Sequence, residues 1–433
     1  MNKITLENFR CFREKQEARL APLTLLVGEN STGKTSFLAL IRALWDVAFR
    51  DEIPNFKEDP YDLGSYDEIA HFRGGESGRA DRFEACFDFG QGDVALRYEV
   101  AFEKSGTVPV PVKRKFSRKD VWAELQTSQG EIVFRVGEPE EKLEIPDSVK
   151  DIGGALFTSA FLIFETVMLV EIFSHEKDSK NLKGDSLRLL QKLFLAIRTY
   201  RDKSQRPYAS APVRTKPRRT YDPASLTPDS EGEYIPMYLA DLYFRDKKEW
   251  GKLKGELEKF GHNSGLFDEI SVRPLRREMT GPFQLLVRKF GNKLKGPQRN
   301  LVDVGYGVSQ VLPVVTELLR PDAPNMSLMQ QPEVHLHPSA QAALGSLFCE
   351  LAGAGRQLVV ETHSDHLLER VRLDIRDGAS NLKPEDVSIL YFERKDIEVE
   401  IHSLGLDKEG NVLNAPPSYG RFFMEETKRS LKL

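Results

Sequence analysis

One short segment, residues 28–35, has the residue types and the spacing that bind phosphate groups. It reads GENSTGKT and fits the pattern G-x-x-x-x-G-K-[ST] of a P-loop. In such a loop the glycines let backbone N–H groups wrap around phosphate oxygens, the lysine neutralises phosphate charge, and the last hydroxyl coordinates Mg²⁺. The residues predicted to bind the nucleotide are Asn30, Ser31, Thr32, Gly33, Lys34, Thr35 and Ser36, with Thr35 also a metal ligand.

The elements on both sides of this segment are the ones that a phosphate loop needs. Residues 20–27 are apolar and predict a buried strand, while residues 34–49 carry apolar side chains at helical spacing. A helix that starts at the loop adds the positive end of its dipole to the phosphate site. The alternative is a glycine-rich turn that fits the pattern by chance, and the flanking strand and helix favour the P-loop.

Three later segments carry further chemistry, and they read VDVGYGVSQVLP (302–313), SLMQQPEVHLHP (327–338) and VVETHSD (359–365). In the first, Gly307 and Ser309 lie near a predicted helix start, which indicates either an anion site or a plain helix cap. In the third, His363 follows an apolar strand, at the strand end where open α/β sheets bind ligands. A single histidine is otherwise often structural.

Taken in this order, the four segments resemble the ABC-type ATPases of the OLD, RecF and SMC group. They are most similar to the compact ATPase subunits of bacterial anti-phage systems such as Septu, PARIS and Gabija, over residues 1–50 and about 205–425. The resemblance implies a signature motif, a Walker B segment with its D-loop, and a switch histidine. It implies ATP as the nucleotide, contacted by His363 and, from a second copy of the chain, by Gly307, Ser309 and Gln310. Arg10 is a further candidate ATP contact.

The Walker B segment departs from the pattern that the resemblance implies. Relatives carry an acidic residue where this chain has Gln330, a predicted metal and catalytic position, while Gln331 and Glu333 match them. An amide cannot supply negative charge to a metal or take a proton. Three interpretations are open. Gln330 replaces a glutamate that was changed in order to trap ATP, or the protein is naturally a slow hydrolase, or Glu333 has taken over the role of this position. We favour the first interpretation.

Composition and charge narrow the class of protein. The chain has 433 residues, enough for two or three domains, and a formal net charge of −4, which argues against nonspecific nucleic-acid binding by the whole chain. Its three cysteines are far apart and indicate a reducing compartment. The N-terminus does not resemble a signal peptide, and the apolar stretch 155–173, interrupted by two glutamates, predicts a buried helix. We therefore expect a cytoplasmic protein without a membrane partner.

The pattern of apolar residues predicts an α/β fold. We expect an ABC-ATPase-like head with a mixed β-sheet core around the P-loop, an antiparallel β-section over residues 83–136 and an inserted helical lobe. Residues 201–232 are rich in proline and arginine and predict an extended loop or a partly mobile linker, and a helical segment is predicted over Ile235–Phe260. The predicted domains are 1–150 (P-loop lobe with the β-section), 151–265 (helical insertion with the loop) and 266–433 (signature motif, Walker B and switch histidine).

Two other kinds of site are weaker alternatives. His335, His337, His363 and His366 suggest a transition-metal site, but no cysteine lies near them and a D-loop accounts for the first two. The basic residues form two clusters that indicate either a solvated surface or contacts to phosphate. The clusters are Lys113, Arg114, Lys115, Arg118 and Lys119, and Arg201, Lys203, Arg206, Arg214, Lys216, Arg218 and Arg219. Within the second, PVRTKPRRTY also resembles a family stretch that folds back toward the nucleotide site.

The expected function is an ATP- and Mg²⁺-dependent switch in which two copies of the chain enclose ATP. The resemblance implies anti-phage defence, with a nuclease or toxin on another chain as the effector. DNA is a further candidate partner, and a higher oligomer is left open. The main alternative is a RecF-like DNA-repair clamp. An OLD-like nuclease is disfavoured, because no paired carboxylates of the DxD kind follow His363, and a transporter ATPase because GYGVSQ differs from LSGGQ.

Overall fold

The computed structural model describes most of the chain. Its described residues are 1–50, 54–75, 78–90, 95–119, 121–128, 131–136, 141–143, 193, 195–199, 205–222, 227–276, 281–291 and 294–421. The chain divides into two compact units, each built from separate stretches of sequence. Unit 1 comprises Met1–Leu20, Glu29–Arg206 and Phe392–His402, and unit 2 comprises Ala21–Gly28, Pro207–Tyr391 and Ser403–Leu433. The predicted division into 1–150, 151–265 and 266–433 stays a prediction, because much of the middle segment lies outside the described residues.

The chain contains both strands and helices, and the two alternate over residues 306–395, as predicted for an α/β protein. The strands are β1 Lys3–Glu7, β2 Gln16–Arg19, β3 Leu23–Gly28, β4 Arg82–Phe89, β5 Leu96–Ser105, β6 Val108–Arg118, β7 Val121–Ser128, β8 Glu131–Val136, β9 Glu141–Leu143, β10 Tyr208–Ser210, β11 Glu269–Pro274, β12 Phe283–Arg288, β13 Arg299–Asn300, β14 Met326–Gln330, β15 Gln357–Glu361, β16 Val387–Lys395, β17 Glu398–Leu406 and β18 Val412–Leu413. The helices are α1 Lys34–Phe49, α2 Tyr66–Ile69, α3 Ile235–Arg245, α4 Lys247–Ser264, α5 Tyr306–Leu319, α6 Pro338–Gly353 and α7 Asp365–Asp377.

Unit 1 is built on an antiparallel sheet with the strand order β2-β1-β4-β5-β6-β7-β8-β9. Its core is aromatic: Phe83 on β4 stacks on Phe102 of β5, with ring centroids 4.8 Å apart. Helix α1 belongs to the same core, since Phe49 near its C-terminal end lies 5.1 Å from the ring of Phe89. The antiparallel section predicted over residues 83–136 is confirmed, because alternation of apolar and polar side chains marks a sheet with one buried face.

Unit 2 holds most of a seven-stranded sheet with the order β10-β14-β15-β3-β16-β17-β18. Strands β10, β14, β15 and β3 run parallel. All residues of β3 and β14 are buried, as expected for parallel strands covered on both faces. Gln330 pairs with Glu361, and Glu361 pairs with Leu26, so β14, β15 and β3 end at the same edge. This edge is where a doubly covered α/β sheet binds its ligands.

Two local predictions for unit 2 need correction. The extended loop predicted over residues 201–232 contains the short strand β10, whose three residues pair in parallel with β14. Three residues are too few to show a strand period in sequence. The helical region predicted over 235–260 is two helices, because Asp246 interrupts it and caps α4 by accepting hydrogen bonds from the backbone N–H of Lys248 and Glu249.

No helix among the described residues is both long enough and apolar enough to cross a bilayer. The apolar stretch 155–173, predicted to be a buried helix, lies outside the described residues.

Candidate functional site

The P-loop begins where β3 ends and leads directly into α1. Gly28, Ser31 and Gly33 all have positive φ angles, of 139°, 60° and 84°, so the chain curls tightly between strand and helix. Gly33 is the N-cap residue of α1, and its carbonyl accepts the first helical hydrogen bond from the N–H of Phe37 at 2.9 Å. The predicted strand, turn and helix are therefore present, and turns of this kind are typical of anion-binding loops.

Two side chains of the P-loop, those of Lys34 and Thr32, form hydrogen bonds within the loop. The Nζ of Lys34 donates to the carbonyl oxygen of Glu29 at 2.6 Å and to Oγ1 of Thr32 at 3.5 Å. The Oγ1 of Thr32 in turn donates to the same carbonyl at 2.8 Å. Lys34 and Thr32 are buried, while Asn30 and Ser31 are exposed and Thr35 and Ser36 are half-buried. The lysine thus bonds to groups that phosphate oxygens can replace.

The loop between β1 and β2 packs against the P-loop within unit 1. Cys11 places its Sγ 3.6 Å from the carbonyl oxygen of Thr32, and burial raises the pKa of this thiol to about 11, so it stays neutral at physiological pH. A Cβ atom on Gly33 would lie 2.6 Å from that Sγ and 2.9 Å from Cζ of Phe12. Only glycine fits this position, for reasons of both conformation and space.

Of two arginines of unit 1, Arg10 bonds outside the loop and Arg394 bonds to it. Arg10, a predicted ATP contact, donates from Nη2 to the carbonyl oxygen of Leu63 at 2.8 Å, and burial lowers the pKa of its guanidinium. Its role in binding ATP stays a prediction. Arg394, which the sequence did not single out, donates from Nη2 to the carbonyl oxygen of Ser31. No local pattern could reveal it, because the two residues are 363 positions apart.

The turn after β14 contains the predicted catalytic residues of the Walker B segment. Gln330 is the last residue of β14 and is 4% exposed, and its Nε2 has no hydrogen-bond partner among the described residues. Gln331 follows with a positive φ of 40°, and its N–H donates to the carbonyl of Glu361 at 2.8 Å. The structure therefore places an amide, and no carboxylate, at the end of this strand.

Glu333 is the buried carboxylate of this turn. Its Oε1 accepts hydrogen bonds from Oγ1 of Thr362 at 2.8 Å and from the N–H of His363 at 2.9 Å. Its Oε2 has no hydrogen-bond partner among the described residues. Burial raises the pKa of Glu333, whereas these bonds and the charge of Arg214 act in the opposite direction. The structure thus links Glu333 to the residues that follow β15, and the imidazole of His363 is exposed there.

Helix α5 starts at the predicted signature motif and packs against the turn after β14. A Cβ on Gly307 would lie 2.7 Å from the carbonyl oxygen of His335, so the helix and the turn approach too closely for a larger residue. The ring of Tyr306 lies edge-on to the imidazole of His335, with centroids 4.9 Å apart. Ser309 is buried and donates from Oγ to the carbonyl of Tyr306 at 2.9 Å.

Gln310, a predicted ATP contact, holds the backbone of Arg214 at two points. Its Oε1 accepts from the N–H of Arg214 at 3.2 Å, and its Nε2 donates to the carbonyl of Arg214 at 3.4 Å. The guanidinium of Arg214 is buried and donates from Nη2 to the carbonyls of Gln330 and Gln331, at 3.5 and 3.4 Å. The sequence grouped Arg214 with a basic cluster, and only the resemblance of PVRTKPRRTY hinted at this location.

Several of the histidines and basic residues named in the sequence analysis have hydrogen-bond or ion-pair partners. His337 caps α6, where its Nδ1 accepts from the N–H of Ala340 at 3.3 Å. In the part of the chain that the structure describes, the one group of three residues with metal-ligating atoms close together is Glu393, Glu400 and His402, which includes none of the four histidines considered above. In the first basic cluster Lys113 pairs with Glu124 and Lys115 lies over Trp122. In the second, Arg206 pairs with Asp46 and Glu58, Arg218 with Glu233, and Arg219 with Asp303. Arg201 and Lys203 lie outside the described residues.

Two segments of the chain match family models of ATPase domains. Residues 1–87 match the family described as "AAA ATPase domain", and residues 183–369 match the family described as "AAA domain, putative AbiEii toxin, Type IV TA system". The first match contains the P-loop, and the second contains α5, the turn after β14 and His363. Both segments are thus similar to AAA ATPase domains, in agreement with the predicted ATPase class. No curated protein matches the chain significantly.

Several solved structures of SMC heads are similar to this chain. The SMC head domain from Thermotoga maritima is 10% identical and has a TM-score of 0.42, with 93% of this chain and 98% of that chain covered. An SmcHead bound to the C-winged helix domain of ScpA is 13% identical, with a TM-score of 0.46 and 94% and 98% covered. A head with an extended coiled coil from Pyrococcus furiosus is 10% identical, with a TM-score of 0.43 and 100% and 98% covered.

Proposed function

We propose that this chain is an ATP-driven switch that binds ATP and Mg²⁺ at its P-loop and closes as a dimer around them. The observation that carries the proposal is the conformation of residues 28–35, which start at the sheet edge where β14 and β15 also end. A cradle of backbone N–H groups, a lysine and a helix N-terminus together select phosphate groups. The match of residues 1–87 to an ATPase domain supports ATP as the nucleotide.

The residues present fit a triphosphate well and a magnesium ion less well. Lys34 would neutralise charge on the β- and γ-phosphates, and Thr35 would supply a hydroxyl to the metal. Gln330 would offer an amide oxygen where a hard cation prefers a carboxylate. Glu333 would act as the base for the attacking water, with its Oε1 held by Thr362 and the N–H of His363. We therefore expect ATP binding to be intact and hydrolysis to be slow.

The second copy of the chain would supply the start of α5 to the bound ATP. The helix begins with an exposed Gly305 and Tyr306, and this N-terminus presents the positive end of its dipole to solvent. An anion held by the partner copy is the natural ligand for such a helix end. Ser309 lies one turn further in, and its hydroxyl would reach the phosphate only by leaving the carbonyl of Tyr306.

The proposed biological setting is anti-phage defence, with a nuclease or toxin on another chain as the effector. The resemblance of the four sequence segments to defence ATPases supports this setting, and so does the family description for residues 183–369, which names a toxin of a toxin–antitoxin system. A RecF-like clamp is the second candidate. The ion pairs of Arg206, Arg218 and Arg219 speak against it, because paired arginines contribute little to phosphate-backbone binding.

Calorimetric titration with ATP and Mg²⁺, together with phosphate release and light scattering, tests the proposal. Wild-type protein should bind ATP and double its mass on binding, whereas Lys34→Ala should lose binding because its ammonium faces the phosphates. Lys104→Ala is the matched control, since Lys104 is an exposed lysine of unit 1 that pairs with Asp67 at 2.6 Å. Normal ATP affinity in Lys34→Ala would overturn the P-loop assignment.

A further inference from the structure

We propose that Arg214 is a positioning residue that couples the start of α5 to the turn after β14. The geometry has two halves. The side chain of Gln310, one turn into α5, forms two hydrogen bonds with the backbone of Arg214, one through its amide oxygen and one through its amide nitrogen. The side chain of Arg214 donates hydrogen bonds to the carbonyls of Gln330 and Gln331. Residues that are 96 and 116 positions apart are thereby joined through one arginine.

The environment of Arg214 is unusual for a structural arginine. It is 2% exposed, and its Nε and Nη1 have no hydrogen-bond partner among the described residues. Its Nη2 bonds to two neutral carbonyls, and no ion pair within the described residues involves it. A buried guanidinium held by carbonyls alone is costly, because the desolvation of the charge is only partly offset. Such a cost is typical of functional sites.

The charge of Arg214 acts on Glu333, which carries the proposed catalytic carboxylate. Burial lowers the pKa of Arg214, and the negative charge of Glu333 acts to raise it. Burial raises the pKa of Glu333, and the positive charge of Arg214 acts to lower it. The arginine therefore favours the ionised form of Glu333 and fixes the backbone on which it is carried. Its hydrogen bonds go to backbone carbonyls of the turn, so we assign it a positioning role.

The coupling has a consequence for the switch. If a second copy displaced α5, Gln310 would move with it. Because Gln310 is bonded to Arg214, and Arg214 to the turn after β14, the turn that carries Gln331 and Glu333 would shift as well. Interactions of this kind are bistable in packed interiors, so a small shift at one end is transmitted to the other. The effect on hydrolysis rests on the proposed function, whereas the mechanical link between α5 and the turn does not.

Three variants test the inference. Arg214→Met removes the charge and both hydrogen bonds at similar volume, and Arg214→Lys keeps the charge but offers a single ammonium. Arg218→Met is the matched control, because Arg218 lies in the same segment but is exposed and pairs with Glu233. Hydrogen exchange is measured without nucleotide at residues 331–337, whose amides include the N–H groups of Val334 and Leu336, both bonded within the turn. ATP affinity and kcat are measured on the same proteins.

We expect Arg214→Met to raise hydrogen exchange across residues 331–337 and to leave β11 and β12 unchanged. We also expect kcat to fall roughly tenfold or more, with ATP affinity kept within about threefold, and Arg214→Lys to recover part of kcat. Unchanged exchange in the turn, or an equal loss in Arg218→Met, would overturn the inference. If Arg214→Met does not fold, Arg214→Lys decides by the same exchange measurement. A wild type that binds ATP but releases no phosphate refutes the proposed hydrolysis, and exchange still decides the coupling.

Discussion

The hydroxyl of Thr362 donates a 2.8 Å hydrogen bond to Oε1 of Glu333, and the neighbouring N–H of His363 donates to the same oxygen at 2.9 Å. These bonds join the end of β15 to the turn after β14 through a single carboxylate. Both donors use one oxygen, and Oε2 remains without a hydrogen-bond partner among the described residues. A carboxylate held on one side in this way is suited to accept a proton on the other.

Replacing Gln330 by glutamate should speed ATP hydrolysis. A carboxylate at this strand end adds negative charge beside the metal, and such electrostatic groups typically change rates by about 10²–10³. We expect Gln330→Glu to raise the steady-state rate of phosphate release at least about tenfold, or roughly 1.4 kcal/mol of barrier. Buried Arg214, which bonds to the carbonyl of Gln330, would help to stabilise the new charge.

Glu333→Gln is the companion variant for that measurement. If wild-type protein hydrolyses ATP briskly and Glu333→Gln abolishes it, Glu333 already supplies the catalytic base and Gln330 is not the missing group. An unchanged rate in both Gln330→Glu and Glu333→Gln would contradict both assignments.

Gly33→Ala should impair both folding of unit 1 and ATP binding. The new Cβ would meet Sγ of Cys11 at 2.6 Å and Cζ of Phe12 at 2.9 Å, at a φ of 84°. Backbone strain and overpacking each cost about 1–3 kcal/mol, so we expect a loss of roughly 2–6 kcal/mol in the free energy of unfolding. Urea titration measures it. Gly106→Ala is the control, since Gly106 has a φ of 61° but open space around it, and it should cost only about 1 kcal/mol.

Ser309→Arg should separate ATP binding from dimerisation. The large cation would disrupt the start of α5, which the second copy is proposed to present to ATP, while the P-loop of the same chain is unaltered. Light scattering should then show a monomer with ATP, and calorimetry should show near-normal ATP affinity. Because Ser309 is only 5% exposed, Ser309→Ala serves as the milder variant. A Ser309→Arg protein that dimerises normally with ATP would exclude the proposed arrangement.

Arg206→Met should destabilise unit 1 in a pH-dependent manner. Arg206 donates from Nε to Asp46 at 2.9 Å and from Nη1 to Glu58 at 2.6 Å, and Asp46 is 5% exposed. Removing the arginine leaves the buried carboxylate of Asp46 with only the longer contact to Arg50, at a cost of about 3 kcal/mol near neutral pH. Arg50→Met is the control, because Arg50 is more exposed and lies 3.9 Å from Asp46.

The sign of the pH dependence follows from the two carboxylates. The hydrogen bond from Arg206 holds the pKa of Glu58 below its usual value, so this stabilisation is present above the unfolded pKa and is lost as pH falls through the folded one. Burial raises the pKa of Asp46, and without Arg206 it rises further, so Asp46 escapes its penalty by protonation in acid. The difference between wild type and Arg206→Met should therefore shrink from about pH 7 to about pH 4 in urea unfolding. A difference that is constant with pH would contradict the ionic origin.

The P-loop and the elements around it could be predicted from the sequence alone. Residues 28–35 are consecutive, and their glycines and lysine impose a local conformation whatever the rest of the chain does. The helix Lys34–Phe49 could likewise be predicted with its observed bounds, because apolar periodicity is itself a local property.

Other features were decided by the tertiary structure. The roles of Gln310 and Arg214 depend on a contact between residues 96 positions apart, and the strand β10 exists because three residues pair with β14. Residue type cannot reveal such partners, since they are chosen by which surfaces pack together when the sheet forms. The sequence thus determined that this chain carries a phosphate loop, whereas the fold decided that an arginine from a proline-rich segment reaches the turn after β14.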